Sequence, residues 1–264
     1  MHDVDKVNRL SEAKPRPAGA YTKSTYLSLT ERPQYGMKKH KLITTIPEIL
    51  AHPRSVVSEQ YRTLRANLQF LMRDKGMKTL MVTSAEAGAG KTTTMVNLAT
   101  AFALQGTKVL YIDGDLRKPT SHRRFGVTNS KGLTSCIVNE LPLQDAIQTI
   151  DDVPNLGILT AGPIPPNPAE CLNAHAMNNI LKAAREVYDL IIIDAPPALV
   201  VGDAKVLASK TDLVDGVLIV SRYGQTKKAD LAETKAAMEQ VNAKILGGVV
   251  NDTPKSKHDS YYGV

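Results

Sequence analysis

Thr79-Leu80-Met81-Val82-Thr83-Ser84-Ala85-Glu86-Ala87-Gly88-Ala89-Gly90-Lys91-Thr92-Thr93 is the stretch on which the reading of this chain turns. Its first four residues form an apolar run of buried-strand type. The residues after it, Thr94 to Leu104, read as a helix. A strand, a loop of small residues, Lys-Thr and a helix make the setting that a phosphate-binding loop requires. Such a loop wraps a polyphosphate with backbone N–H groups, so its side chains must be small. Ala85, Ala87, Gly88, Ala89 and Gly90 meet that need, with Ala85 standing where the strict pattern has Gly. The helix N-terminus adds free N–H groups and a partial positive charge. This spacing predicts nucleotide contacts from Ala87 to Thr93, with Lys91 on the β- and γ-phosphates and the Thr92 hydroxyl on Mg²⁺.

The rest of the chain reads as alternating strands and helices. Lys108 to Asp113 is a second strand, and it runs out into Asp113-Gly114-Asp115-Leu116-Arg117-Lys118-Pro119. Asn155 to Thr160 is a third strand, left through a proline-rich loop and followed by one helix from about Ala169 to Val187. Leu190-Ile191-Ile192-Ile193-Asp194-Ala195-Pro196-Pro197 is an unbroken apolar run ending in an acid, as suits a parallel strand covered on both faces. Gly216 to Val220 and Ile245 to Val250 complete the set. One or two short helices are expected in 132–150, with others near Asp203–Ser209 and Lys228–Val241. The alternation predicts an α/β fold: a mainly parallel, doubly wound sheet with helices on both faces, of the phosphate-loop NTPase type. Ligands of such sheets sit outside the C-terminal ends of the strands, where Asp113, Asp115 and Asp194 fall.

Upstream, Ser55 to Asp74 has helical periodicity and stops at Gly76. It contains Glu59, Arg62 and Arg65, and the spacing of Glu59 and Arg62 allows a surface pair within one turn. Residues 1–40 hold Pro15, Pro17, Gly19, Pro33 and Gly36 without apolar periodicity, and read as a flexible arm. Leu42 to Ile46 reads as a short strand or an anchor. The domain proper is expected over 41–250, and 251–264 as a flexible polar tail with Tyr261 and Tyr262.

The 264 residues are 42% hydrophobic and 22% charged, enough for one large core. Part of the net charge of +7 is local, since residues 1–41 hold nine Lys/Arg against four acids. A solvated arm is the expectation there, a basic arm beside a membrane or nucleic acid is the alternative, and no nucleic-acid partner is expected for the protein. Cys136 and Cys171 lack metal-ligand spacing and fit a reducing cytoplasm. No apolar run approaches a membrane span, so a soluble protein is expected, reaching a membrane only through a partner.

Four features stand together: the phosphate loop, the Asp113/Asp115 pair, Asp194-x-Pro196-Pro197, and Glu59-x-x-Arg62-x-x-Arg65. As a set they resemble the bacterial tyrosine kinases, the phosphate-loop autokinases of capsule and exopolysaccharide assembly, over roughly residues 41–264. The loop departs from the family's common Pro-Gly-Glu-Gly, having Ala87-Gly88-Ala89-Gly90. The tyrosine tail is also sparser than is usual in the family.

The resemblance implies an ATP- and Mg²⁺-dependent protein-tyrosine kinase that phosphorylates itself. Lys91, Asp113 and Asp115 would be catalytic, and Thr92, Asp115 and Asp194 would serve the metal. Glu59, Arg62 and Arg65 would build a homo-oligomer, a ring in which each tail feeds the next subunit. Tyr261 and Tyr262 would be the acceptors, with Tyr21, Tyr26 and Tyr35 weaker candidates. Tyr61, Tyr111 and Tyr188 lie within expected elements and read as packing residues. The length matches the split form of the family, a cytoplasmic chain held at the inner membrane face and switched on by a membrane adaptor's tail. Two other functions use the same sheet: a partitioning or septum-positioning ATPase, and a non-catalytic nucleotide-binding regulator. The ATPases carry a lysine early in the loop, where this chain has Glu86.

Overall fold

The computed structural model describes residues 46–73 and 75–254. The basic arm, residues 42–45, and the tyrosines Tyr21, Tyr26, Tyr35, Tyr261 and Tyr262 lie outside the described residues. Six strands form one sheet: β1 Thr79–Ser84, β2 Val109–Asp113, β3 Leu156–Leu159, β4 Leu190–Asp194, β5 Gly216–Arg222 and β6 Ile245–Asn251. Their order is β3-β2-β4-β1-β5-β6, and every pairing is parallel.

The apolar runs are strands because the two faces of the sheet are covered by different cores. Successive side chains of a strand point to opposite faces. Leu80, Val82, Val109, Tyr111, Leu190 and Ile192 enter one core, while Met81, Leu110, Ile112, Ile191 and Ile193 enter the other. The first core is roofed by α2 (Val56–Arg73), α3 (Lys91–Ala103) and α4 (Ser121–Phe125), through Leu68, Met95, Leu98, Phe102 and Phe125. The short α1 (Glu48–Ala51) precedes α2 and is pinned to α3, where the buried Ile49 N–H donates to Asn97 Oδ1 at 3.0 Å. The second core is closed by α5 (Leu133–Val138), α6 (Leu143–Ala146), α7 (Pro168–Asn173), α8 (His175–Val187), α9 (Asp203–Ala208) and α10 (Lys228–Glu239). The doubly wound sheet expected from the sequence is therefore present.

Two local expectations are refined. The single helix expected from Ala169 to Val187 is two, because Ala174 adopts an extended ψ of 150°. Leu172 and Met177 are both fully buried. Five residues apart, they would lie on different sides of one continuous helix, since neighbours on a face recur at three or four. The break lets both reach the core. At the far edge, β6 extends through Asn251, so Asn251 and Asp252, counted above with the polar tail, belong to the folded domain.

Candidate active site

The loop between β1 and α3 is shaped by two left-handed glycines, Gly88 at φ +86° and Gly90 at φ +91°. L side chains rarely adopt that region. A Cβ at Gly90 would also come within 1.9 Å of Asn251 Nδ2, which donates to the Ala89 carbonyl at 3.1 Å. The loop's backbone is thus fixed from the β6 side. Within it, Glu86 turns to its own chain, where Thr226 Oγ1 donates to Glu86 Oε1 at 2.5 Å. That is the position at which a partitioning ATPase would carry its cross-dimer lysine.

Because β1 is central, its loop opens between two pairs of strand ends. On one side, β4 and β2 bring Asp194 and Asp113 opposite each other in register. On the other, β5 and β6 bring Arg222, Asn251 and Asp252. The cavity between them holds about 580 Å³ and is lined by residues 86–93, Asp115, Arg117, Lys118, Arg124, Pro196, Pro197, Val200, Val201, Arg222, Asn251 and Asp252. That size lies within the usual range for small-ligand sites, about 300–1,000 Å³.

The charged groups are layered by depth. Lys91 is buried, and its Nζ donates to Asp194 Oδ1 at 2.5 Å. Asp194 Oδ2 accepts from the Tyr111 hydroxyl at 2.9 Å. Asp113 is also buried; its Oδ2 accepts from Ser121 Oγ at 2.5 Å and from Ser121 N–H at 3.2 Å, and its Oδ1 accepts from Asp115 N–H at 3.1 Å. Burial, and then the charge of Asp194, pushes the Asp113 carboxyl up to about 7, against the pull of Ser121 and Lys91. The same burial, with the charges of Asp194 and Asp113, raises the Tyr111 hydroxyl well above its ordinary value. Asp115 is shallower and lines the cavity. One of its oxygens accepts from Lys118 N–H at 3.0 Å; the other makes no hydrogen bond among the described residues. Arg117 makes a two-pronged pair with the fully buried Asp203, at 2.7 and 3.0 Å.

The arrangement fits a magnesium-bound nucleoside triphosphate. The loop offers a cradle of N–H groups free of side-chain bulk, with space open beside Gly88. Thr92 lines the same cavity, and its hydroxyl has no hydrogen bond among the described residues. Among those residues no cluster of three or more His, Cys, Asp or Glu is placed to hold a metal by itself. Mg²⁺ keeps several waters and is held by one or two protein groups plus phosphate oxygens.

The expected site residues 87–93, Asp113, Asp115 and Asp194 are thus brought together. Glu59, Arg62 and Arg65 are elsewhere, on α2. Glu59 and Arg62 form the expected surface pair, and Arg62 also donates to the Pro53 carbonyl at 2.6 Å. Arg65 Nη1 donates to Gln69 at 2.9 Å. The sequence reading missed Tyr111 as a partner of Asp194, taking it for packing alone. It also missed the wall of Arg222, Asn251 and Asp252, although strand ends of β5 and β6 are where such a sheet places ligand contacts. Tyr223, exposed at the end of β5, was not singled out either. No helix among the described residues is long and apolar enough to cross a membrane.

Comparison with known proteins agrees with the geometry. Residues 77–245 match the family model described as an AAA domain. The chain is 44% identical over 212 residues to the tyrosine-protein kinase YwqD of Bacillus subtilis (strain 168), covering 80% of this chain and 88% of that protein. Among solved structures, the kinase domain of the Escherichia coli tyrosine kinase ETK superposes with a TM-score of 0.75 at 31% identity, over 86% of this chain and 85% of that one. The chimerical protein CapA2B2 gives a TM-score of 0.74 at 36% identity, over 79% and 90%. The phosphate loop, its acidic partners and these likenesses converge: the chain belongs to the bacterial tyrosine kinases and is a protein-tyrosine kinase on the phosphate-loop NTPase fold.

Proposed function

We propose that this kinase phosphorylates itself from ATP on Tyr261 and Tyr262, within a capsule or exopolysaccharide system, and that a membrane adaptor's tail activates it. The observation that carries the catalytic part is the layering of Lys91, Asp194, Asp113 and the more exposed Asp115 around one phosphate-loop cavity. Phosphoryl transfer depends mainly on positioning and charge neutralisation. Lys91 and the N–H groups of 87–93 hold the β- and γ-phosphates. Mg²⁺, when bound, neutralises charge developing on those oxygens. Thr92 and Asp194 are the residues that would hold it. Asp115, as the carboxylate open to the cavity, takes the proton of the attacking phenol, whose free pKa is about 10. Asp113 orients Asp115 by accepting its N–H. The expected roles of Asp113 and Asp115 are therefore separated by depth. The polysaccharide setting and the adaptor, which would hold the cytoplasmic chain at the membrane, rest on the family alone.

Asn251 and Asp252, which precede the tail in the sequence, line the cavity. Changing Tyr261→Phe and Tyr262→Phe together should remove most of the phosphotyrosine formed with Mg-ATP. Retention of more than half of the signal would move the acceptor to other tyrosines.

A ring built by α2 is the proposed assembly. It is supported by the exposed apolar side chains Val57 and Phe70, at 43% and 73% exposure, on the helix that carries Glu59, Arg62 and Arg65. It is supported too by Arg65 Nε, a buried donor without a partner among the described residues. Arg62→Ala with Arg65→Ala should reduce the particle seen by light scattering to a monomer. An unchanged mass would remove α2 from the interface.

A further inference from the structure

Tyr111 is a buried ionisable side chain to which the proposed mechanism gives no task. It lies on β2, two residues before Asp113, and so on the same face. Asp194 lies opposite Asp113 on β4, which makes it the diagonal neighbour of Tyr111. A diagonal neighbour across two strands is within reach of an aromatic side chain. The hydroxyl spans that diagonal and donates to Asp194 Oδ2 at 2.9 Å. The ring is fully buried and meets Phe125 edge-on, with centroids 5.0 Å apart. The phenol therefore has one orientation.

Asp194 is held by two donors on its two oxygens, Lys91 on Oδ1 and Tyr111 on Oδ2. The two differ in kind. Lys91 reaches Asp194 with the end of a long side chain and, in the mechanism above, is also the ligand of the phosphates. Tyr111 has no access to the cavity, and the other side chain its hydroxyl meets is that of Ser121, which itself donates to Asp113. When Lys91 engages phosphate, the Tyr111 bond remains to stop the carboxylate from rotating.

We propose that Tyr111 is a positioning residue: by holding Asp194 Oδ2 it keeps Oδ1 turned toward Lys91 and the phosphate loop, where Mg²⁺ would be held, and so sets how strongly the metal tightens nucleotide binding. This rests on the reading of Asp194 as the acid that serves Mg²⁺. Partners that orient metal-site carboxylates typically govern metal affinity by about 10- to 100-fold.

The test is nucleotide binding by the full chain, without turnover. A fluorescent ADP analogue is titrated once in EDTA and once in excess Mg²⁺, and the ratio of the two affinities measures the metal's contribution. Tyr111→Phe keeps the ring against Phe125 and deletes only the hydroxyl. It should leave the affinity in EDTA within about twofold and lower the Mg²⁺ ratio about 10-fold. Tyr111→Met, which also gives up the ring, should lower the ratio to the same extent. Adding Tyr111→Phe to Asp194→Asn should change nothing further, because both act through one group. An unchanged ratio in Tyr111→Phe, while Asp194→Asn loses it, would overturn the role of Tyr111 alone. A loss in Tyr111→Met but not in Tyr111→Phe would assign the effect to packing and overturn it too. A full ratio in Asp194→Asn would sink the metal reading of Asp194, and this proposal with it.

Discussion

Lys91→Met is expected to lower autophosphorylation about a thousandfold or more. Removing one preorganised donor from a developing oxyanion costs about 10²–10³ in rate. A cation on a transferring phosphoryl group contributes about 10³–10⁵. Lys91 is placed to act as such a cation: it starts α3, is buried, and shares the cavity lining with the loop amides. Methionine keeps most of the length and the apolar stem and removes the ammonium, its charge and its donors together. The substitution also strips Asp194 of its ammonium partner, leaving a buried carboxylate with the Tyr111 bond alone. Breaking a buried pair from one side costs about 3–5 kcal/mol. With one bond retained we expect the lower end, about 3 kcal/mol, or a fall of roughly 6–12 °C in Tm. Activity must therefore be measured well below the variant's melting point. A folded Lys91→Met protein that keeps a tenth of the phosphotyrosine signal would contradict the assignment.

Asp115→Asn should lower kcat about 10²–10⁴-fold, the usual contribution of a positioned acid or base. The isostere keeps the acceptor that holds Lys118 N–H and removes the charge. Asp115, and not Asp113, is the choice because Asp113 lies under the cavity lining with both oxygens engaged by Ser121 and Asp115 N–H. Mg²⁺ dependence separates the two roles expected for Asp115. If the residue takes the phenolic proton, activity stays low at every Mg²⁺ concentration. If it chiefly ligates the metal, raising Mg²⁺ restores much of the rate. Recovery to within threefold of wild type at high Mg²⁺ would reassign Asp115 to the metal.

Much of this was legible in the sequence because the signals are local. The apolar runs of β1 and β4 and the Gly-rich loop before Lys91 each need only a few neighbours to be read. Their convergence followed from a general rule, that parallel strands present their C-terminal ends to one ligand. What escaped reading depends on register and depth. Tyr111 looks like one more apolar strand residue until β2 is set against β4, when it becomes the diagonal partner of Asp194. Asp113 and Asp115 are alike in sequence, two residues apart. Only the bend after β2 buries the first and leaves the second at the cavity. Asn251 reads as the start of a polar tail. It is fixed in the fold by a contact to Ala89, 162 positions away. The break at Ala174 has no glycine or proline to announce it and follows from the core's demand for both Leu172 and Met177.

The central claim is that the outermost phosphate of a nucleotide held at this loop is passed to a tyrosine of the chain's own tail. Intact-mass measurement and phosphopeptide mapping of the full chain, after incubation with Mg-ATP and the adaptor's tail, address it directly. We expect added phosphate on Tyr261 and Tyr262. Nucleotide consumed while every tyrosine stays unmodified would contradict it.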